Sequence, residues 1–319
     1  MTKPVQPLKF KKLKARSIHV AGLATLSIFS TLASAQGLTE GENSTTGVDN
    51  LSLGGISTRS SLSLSLYSSS IKNNIVQVAR GNSSAENLAL VVSGQYVISP
   101  RLALLATLPY ESTKSESQQS FAGTSIATKV QNNQFGYLSL GLRYLLLPES
   151  NGFALIGSAA VSTTTESKQP STQATIAVAQ GTATITATTL ARPSDKTLQI
   201  GLNPRWRIND NLTAAMTVDV RQSQQFKGSQ GIGAGLIWRA TPVLTVSPSI
   251  EYRRSDGRGD NGSSNSIFAG AHAFYDLDAN WRLRTSAYLG QTSPSVFRGV
   301  EQTDKGKSTN LSIGLTRFF

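Results

Sequence analysis

Side chains that commonly perform catalysis or bind metal ions are scarce in this chain. Its 319 residues include no Cys and only two His, His19 and His272. The lack of Cys excludes a thiol nucleophile, a Cys-ligated zinc site and a disulfide framework. A Ser–His hydrolase would depend on His272 alone, because His19 lies in a segment that we expect to be removed. We therefore predict no enzymatic activity, no catalytic or metal-binding residues and no cofactor.

A glycine run is the sequence feature closest to a nucleotide-binding loop. Gly231, Gly233 and Gly235 alternate with other residues, but no helical pattern follows them, as a phosphate-binding loop requires. Alternating glycines also leave one face of a strand without side chains. Two interpretations stay open: close approach of a loop or a solute to this face, or relief of curvature in a small barrel.

Charged residues recur at alternate positions along several segments, which would place them on one face of successive strands. This face carries eight Arg and four acidic residues, together with one His. It could form a cationic lumen that attracts anions, or a structural ladder of Arg–carboxylate pairs across neighbouring strands. The predicted lumen-lining residues are Glu111, Arg143, Arg205, Arg207, Asp219, Arg221, Arg239, Glu251, Arg253, His272, Asp276, Arg282 and Arg284.

The elements that carry these residues show a period of two. Leu62, Leu64 and Leu66 alternate with Ser, and similar alternation recurs as far as Phe319. Only 15% of the residues are charged, and the mean hydropathy is −0.14. A weakly charged, Gly-rich chain with short apolar alternations is typical of a transmembrane β-barrel. We therefore predict an all-β fold, an antiparallel transmembrane barrel.

The connections between these segments alternate between tight and long. Tight turns fall at 99–100, 148–152, 209–211, 241–242 and 278–280, and long polar connections at 69–86, 112–133, 164–195, 222–230, 255–265 and 291–309. Five turns and six loops require twelve strands, with short periplasmic turns and long extracellular loops. Within the third loop, residues 172–191 are rich in Thr and Ala. They could form a hairpin extending the flanking strands, or a low-complexity loop.

The first 35 residues have the three parts of a secretory signal peptide. A basic segment (9–16) precedes an apolar one (18–32), and Ala33-Ser34-Ala35 offers a small-x-small cleavage site. The alternative is a membrane anchor, for which the apolar run is short. Removal of six basic residues reduces the net charge from +12 to +6, so we expect no nucleic-acid partner. The predicted division is 1–35 signal peptide, 36–50 periplasmic segment and 51–319 barrel.

Two segments together resemble a known family. In 94–111 a tight turn joins two strands and the second ends in Leu-Pro-Tyr, while 136–147 opens with Gly and contains Gly-Leu-Arg-Tyr. This arrangement resembles the outer-membrane transporter family of the meta-pathway of phenol degradation. The resemblance implies a channel for small hydrophobic compounds and supplies no site residues. Arg317 departs from the family, which has an aromatic residue at that place.

Two functions from different classes follow from these patterns. The favoured one is an outer-membrane channel for a small solute, hydrophobic or anionic, exported by the signal peptide in a Gram-negative cell. The alternative is a structural or adhesion barrel that acts through its extracellular loops. Expected partners are outer-membrane lipid, the solute, and the barrel-assembly machinery, which commonly recognises a C-terminal aromatic residue such as Phe319.

Overall fold

The computed structural model describes residues 59–75, 80–121, 124–164, 171–178, 181–188, 195–224, 228–256, 263–294, 296–297, 300–301 and 303–319. The predicted signal peptide (1–35) and periplasmic segment (36–50) lie outside these described residues. Within them, no helix is long and apolar enough to cross a bilayer.

The described chain contains seventeen β-strands. Most are long, and the four shortest lie in the connections. In chain order the strands are β1 (Ser61–Ile75), β2 (Arg80–Ser99), β3 (Leu102–Phe121), β4 (Thr124–Phe135), β5 (Leu138–Ser150), β6 (Phe153–Thr164), β7 (Ser171–Val178), β8 (Gly181–Thr188), β9 (Asp195–Asn209), β10 (Leu212–Ser223), β11 (Ser229–Arg239), β12 (Leu244–Ser255), β13 (Ser264–Asp276), β14 (Trp281–Thr292), β15 (Val296–Phe297), β16 (Val300–Glu301) and β17 (Gly306–Phe318).

Twelve of these strands form a closed antiparallel barrel. Their order around the ring is β1-β2-β3-β5-β6-β9-β10-β11-β12-β13-β14-β17, and β17 pairs with β1 to close it. Each strand therefore pairs with its nearest barrel neighbours in sequence, except at the β1–β17 seam. The prediction of a twelve-stranded transmembrane barrel is confirmed.

Alternation of side chains produces an apolar outer face. On β1, Leu62 and Leu64 are 50% and 52% exposed, whereas Ser63 and Ser65 between them are buried. On β2 the apolar outer residues run from Leu88 to Ile98. Ten residues of strand at about 3.3 Å each, tilted by about 40°, span roughly 25 Å. This is the height of the lipid-facing band of an outer-membrane barrel.

Tight turns gather at one end of the barrel, here called the short-turn rim. The β5–β6 connection is Asn151-Gly152 with φ of 51° and 77°. Positive φ at both central residues suits the twist of a two-residue hairpin, and Asn and Gly tolerate it best. The first and last strands meet at the same rim, where the Phe319 amide donates to the Ser60 carbonyl at 3.0 Å.

At the opposite end, the distal rim, strands replace much of what the sequence assigned to loops. β2 and β3 are each 20 residues long, so the predicted loops 69–86 and 112–133 are largely strand. Above the apolar band both faces of these strands are polar, and the period-two signal therefore disappears. The connections at 222–230 and 255–265 agree with the prediction, since β10 and β12 end at their starts.

The Thr/Ala-rich segment forms a hairpin of β7 and β8. This hairpin pairs with β4, and not with β6 and β9, the strands that flank it in sequence. The result is a sheet β3-β4-β7-β8 that continues the barrel wall beyond the apolar band. An exposed ion pair between Lys129 and Glu116 (2.9 Å) joins β4 to β3 in this extension.

A bulge connects the extension to the barrel. β4 and β5 both pair with β3, but Tyr110 pairs with Phe135 and Thr107 with Ser139. Between these two pairs, β3 has two residues and the segment from β4 to β5 has three. Two of the three, Gly136 and Tyr137, are both buried. The Gly136 amide donates to the Pro109 carbonyl at 2.9 Å. One extra residue reverses the alternation, so odd-numbered residues face outward on β4 and even-numbered ones on β5.

Two adjacent positions test the orientation of β2. Val92, near the middle of the apolar band, is 43% exposed on the outer face, and Ser93 lies on the inner face. Val92→Arg should lower the free energy of unfolding by about 2–4 kcal/mol, because it places a charge at the bilayer midplane. Ser93→Arg should cost much less. Equilibrium unfolding in lipid bilayers measures both, and equal losses would contradict this orientation.

Candidate functional site in the barrel interior

The strand register puts all thirteen predicted lumen-lining residues on the inner row. Six are buried, five are half-buried, and two that lie close to the short-turn rim are exposed. In that order they are Glu111, Arg143, Arg205, Asp219, Arg253 and His272; Arg221, Glu251, Asp276, Arg282 and Arg284; and Arg207 and Arg239. Because five of these side chains are only half-buried, solvent reaches part of the inner row.

Two small apolar clusters lie on the inner row, and the sequence analysis missed them. Ala103, Leu145, Ala154 and Ile156 form a buried inward-facing cluster on β3, β5 and β6, against which Val97 packs. A second cluster of Tyr67, Ala89 and Val91 lies on β1 and β2. The charged residues lie mainly on β9 to β14. The inner row of β1–β6 therefore mixes these apolar clusters with buried polar side chains, including Glu111 and Arg143, whereas ion pairs mark the inner row of β9–β14, here called the charged wall.

Arg253 is the centre of the charged wall. Its guanidinium donates from Nη1 and Nη2 to the two carboxylate oxygens of Asp219, each at 3.2 Å. Nη2 also donates to Glu251 Oε1 at 2.9 Å. Two planar donors on one carboxylate give a bidentate pair, and a second acid stabilises the same cation. This part of the wall corresponds to the structural ladder considered from sequence.

The glycine run explains how Arg253 reaches Asp219. Asp219 lies on β10 and Arg253 on β12, and both pair in register with Gly231 on the intervening strand β11. A Cβ added to Gly231 would lie 2.4 Å from Asp219 Oδ2 and 3.0 Å from Arg253 Nη2. The bare face of β11 therefore makes room for side chains from its two neighbours. The sequence analysis had considered close approach of a loop or a solute, or relief of curvature, but not this role of the glycines in making room for an ion pair.

A second ion pair lies near the short-turn rim. Arg282 Nε donates to Asp276 Oδ1 at 2.5 Å across the β13–β14 hairpin. The same guanidinium lies 5.1 Å from the centre of the Phe318 ring on β17. This contact holds the last strand against the β13–β14 hairpin at the short-turn rim.

Arg205 is held by its own strand. Its Nε donates to Asn203 Oδ1 at 2.7 Å, and Asn203 Nδ2 donates to the Met216 carbonyl at 2.6 Å. The chain Arg205–Asn203–Met216 fixes one cation of the inner row to the backbone of β10. Arg205 is only 3% exposed, so it lies in the wall and not in open solvent.

His272 belongs to an aromatic group on β13 and β14. Its ring centre lies 6.1 Å from that of Phe274 and 5.1 Å from that of Tyr288. The hydroxyls of Tyr288 and Ser249 are 2.7 Å apart. Arg284 completes the group, with its guanidinium 5.9 Å from the Phe274 ring centre. Within the described residues no three His, Cys, Asp or Glu side chains come together for a metal ion.

Two inner residues near the distal rim were not predicted. Asp195 is 1% exposed and Tyr137 6% exposed, and the Tyr137 hydroxyl donates to Asp195 Oδ2 at 2.9 Å. The sequence analysis assigned Asp195 to a loop. The sequence does contain a signal for an irregularity at Tyr137, because the outward-facing apolar residues are even-numbered on β5 but the preceding one, Phe135, is odd-numbered.

Asp195 also changes the charge balance of the interior. With Asp195, the inner row has eight Arg and five acids, a surplus of three positive charges.

The class of protein follows from this architecture. A closed antiparallel ring with an apolar outer band and a charged interior is an outer-membrane-type β-barrel. No protein-family model and no characterised protein matches the sequence, so the resemblance to the phenol meta-pathway family stays a prediction. The likeness to solved structures is one of fold.

Three solved barrels illustrate that likeness. An outer-membrane channel of Pseudomonas putida F1 has a TM-score of 0.50 at 12% identity, over 84% of this chain and 98% of that one. The β domain of the Bordetella autotransporter BrkA has a TM-score of 0.50 at 11% identity, over 82% and 99%. The Pseudomonas putida toluene transporter TodX has a TM-score of 0.49 at 9% identity, over 83% and 90%.

Gly231→Ala tests the packing of the ion pair against β11. The added methyl group should displace the Asp219 carboxylate and lower the free energy of unfolding by about 1–3 kcal/mol, the cost of disturbing buried charged hydrogen bonds. Gly94→Ala is the control, because its Cβ would meet atoms no closer than 3.6 Å. That variant should be neutral or slightly stabilising. Equal effects in denaturant titrations of the two variants would contradict the assigned role of Gly231.

Proposed function

We propose that this protein is an outer-membrane channel through which a small solute passes passively. In this proposal the signal peptide (1–35) directs export, the short-turn rim faces the periplasm and the distal rim faces the cell exterior. Outer-membrane lipid surrounds the apolar band, and the barrel-assembly machinery recognises the C-terminal strand through Phe319. The protein has no enzymatic activity, cofactor or nucleic-acid partner.

The observation that carries the proposal is a ring of twelve strands whose interior keeps half-buried charged and polar side chains. Twelve strands spaced about 4.8 Å apart and tilted by about 40° give a backbone radius of roughly 12 Å. Smaller eight-stranded barrels are filled by side chains, and sixteen-stranded porins leave a wide aqueous pore. An intermediate ring suits a narrow and selective conduit. One barrel of the same fold is itself described as an outer-membrane channel.

The charge of the interior supports a small solute with an anionic part. The charged wall has more Arg than acid, and a confined space with low-dielectric walls focuses its field on passing ions. The apolar clusters on β1–β3, β5 and β6 lower the polarity of the rest of the inner row, which is compatible with a solute that also has a hydrophobic part.

The charge surplus predicts anion selectivity. In a salt gradient across a planar bilayer, the reversal potential of the mature protein should indicate preference for anions, and the preference should weaken as salt concentration rises. Replacing Arg205, Arg221 and Arg284 with Ser removes three positive charges from the inner row. This variant should shift the reversal potential towards cation preference.

Arg254→Ser is the matched control for selectivity. Arg254 neighbours Arg253 in sequence but is exposed on the outer face, near Asp256. Its replacement should leave the reversal potential unchanged. A wild-type channel that already prefers cations would show that the acids neutralise the Arg residues and that the ladder dominates. If the refolded protein gives no discrete conductance and its deletion no uptake defect, the channel proposal fails.

A second candidate function has its own observation. The sheet β3-β4-β7-β8 continues beyond the apolar band, and β8 is its last strand among the described residues. The sequence from 171 to 191 contains no charged residue, whereas natural edge strands are commonly protected by charges. An uncharged edge of this kind could pair with a strand of a surface partner. This favours a surface-interaction or adhesion barrel as the alternative.

Removal of the β7–β8 hairpin separates the two functions. A variant in which a short Gly/Ser linker replaces residues 171–188 should keep the conductance of the intact channel, because the twelve barrel strands remain. If adhesion is the function, the same variant should lose cell-surface attachment measured with whole cells. Unchanged attachment together with altered flux would contradict the adhesion alternative.

A further inference from the structure

We propose that Tyr137, held by Asp195, forms a constriction at the distal mouth of the lumen and limits the size of the solute that passes. This inference rests on the channel function proposed above and assigns its size limit to one side chain. It concerns residues that the inner-row pattern of charges did not identify.

The bulge determines where the Tyr137 side chain goes. In a regular strand, one of the two residues Gly136 and Tyr137 would face lipid, but both are buried. Gly136 allows this, because an added Cβ would lie 2.5 Å from Glu111 Oε1 and 2.7 Å from Pro109 Cγ. The extra residue therefore directs an aromatic side chain to the inner face at the end of the barrel wall.

Hydrogen bonds then fix the ring along the inner wall. Leu138 pairs with Thr163, and Thr164 pairs with Asp195, so Tyr137 and Asp195 lie at one level with β6 between them. The Tyr137 hydroxyl spans this strand to reach Asp195 Oδ2 at 2.9 Å. Ser223 on β10 donates to both oxygens of the same carboxylate, at 2.9 and 2.8 Å. A carboxylate acceptor strengthens such bonds, which favours one position of the ring.

The Arg221 side chain, on the inner row of β10, packs against the ring of Tyr137. The Arg221 guanidinium lies 5.3 Å from the centre of the Tyr137 ring, within the range of a cation–π contact. Tyr137 is 6% exposed and Asp195 1% exposed, so the group is packed. Side chains from the β4–β5 bulge, β9 and β10 thus meet at one level. In a ring of this radius, such a packed group reduces the free cross-section at the mouth.

Single-channel recordings with polymer exclusion test the inference. Tyr137→Ala in the full-length mature protein should raise the unitary conductance by about twofold or more, because removal of the ring widens the narrowest section. The largest poly(ethylene glycol) that enters the pore should increase in size as well. Tyr137→Phe keeps the ring and should retain a conductance close to that of the wild type.

Asp195→Asn tests the positioning role of the carboxylate. The amide keeps the size of the side chain but removes the charge from the bond to Tyr137. The mean conductance should stay near the wild-type value, while fluctuations of the open-channel current increase because the ring is held less firmly. An unchanged current noise would show that Asp195 does not hold Tyr137.

Tyr288→Ala is the matched control. Tyr288 is also an inner-row tyrosine with a hydrogen-bonded hydroxyl, but it belongs to the aromatic group on β14. Its removal should leave the polymer size limit unchanged. Heat-modifiable migration in gels confirms that each variant is folded, and Tyr137→Leu, which keeps an apolar side chain, replaces Tyr137→Ala if that variant does not fold.

The outcomes distinguish the two proposals. If the wild type conducts and Tyr137→Ala has the same conductance and polymer limit, the constriction is wrong and the channel stands. If Tyr288→Ala widens the pore as much as Tyr137→Ala, the size limit does not belong to Tyr137. If neither the wild type nor any variant conducts, both the channel and the constriction are wrong.

Discussion

Closure of the backbone hydrogen-bond network is the constraint on which this structure depends. In lipid no water is present to satisfy an unpaired amide or carbonyl, so a sheet can cross only if it has no free edge. β3 shows how the chain meets this requirement. In the apolar band it pairs with β2 and β5, and above the band with β2 and β4. The wall can lose its closed form only where lipid no longer surrounds it.

Closure and alternation together divide the chain into two rows with different roles. The outer row is nearly uniform, because lipid demands apolar side chains. The inner row is free of that demand, and it carries small apolar clusters on β1–β6 and ion pairs on β9–β14. The bulge at Gly136 and Tyr137 is where this division is locally altered, because it turns two successive residues inward.

The parts of the structure governed by lipid could be predicted from sequence, and the others could not. Period-two alternation, five tight turns and six long connections were sufficient to predict twelve strands. Strands above the apolar band, such as the half of β3 nearer the distal rim, were assigned to loops, because polar residues on both faces leave no periodic signal. Alternation also predicted the inner position of Arg253. Its pairing with Asp219 could not be predicted, because it depends on the register of β10, β11 and β12, which places Gly231 between the two side chains.

The β1–β17 seam has a consequence for how the barrel assembles. All other barrel pairings join strands that follow one another in the ring's chain order, whereas Ser63 and Thr316, hydrogen-bonded across the seam, are 253 residues apart. Contacts of such high sequence separation form slowly, because loop closure precedes the gain from pairing. Hairpins such as β2–β3 can form early from local contacts. The sheet therefore remains an open ribbon with two exposed edges until the final strand is available, which makes the β1–β17 junction the committing step of folding.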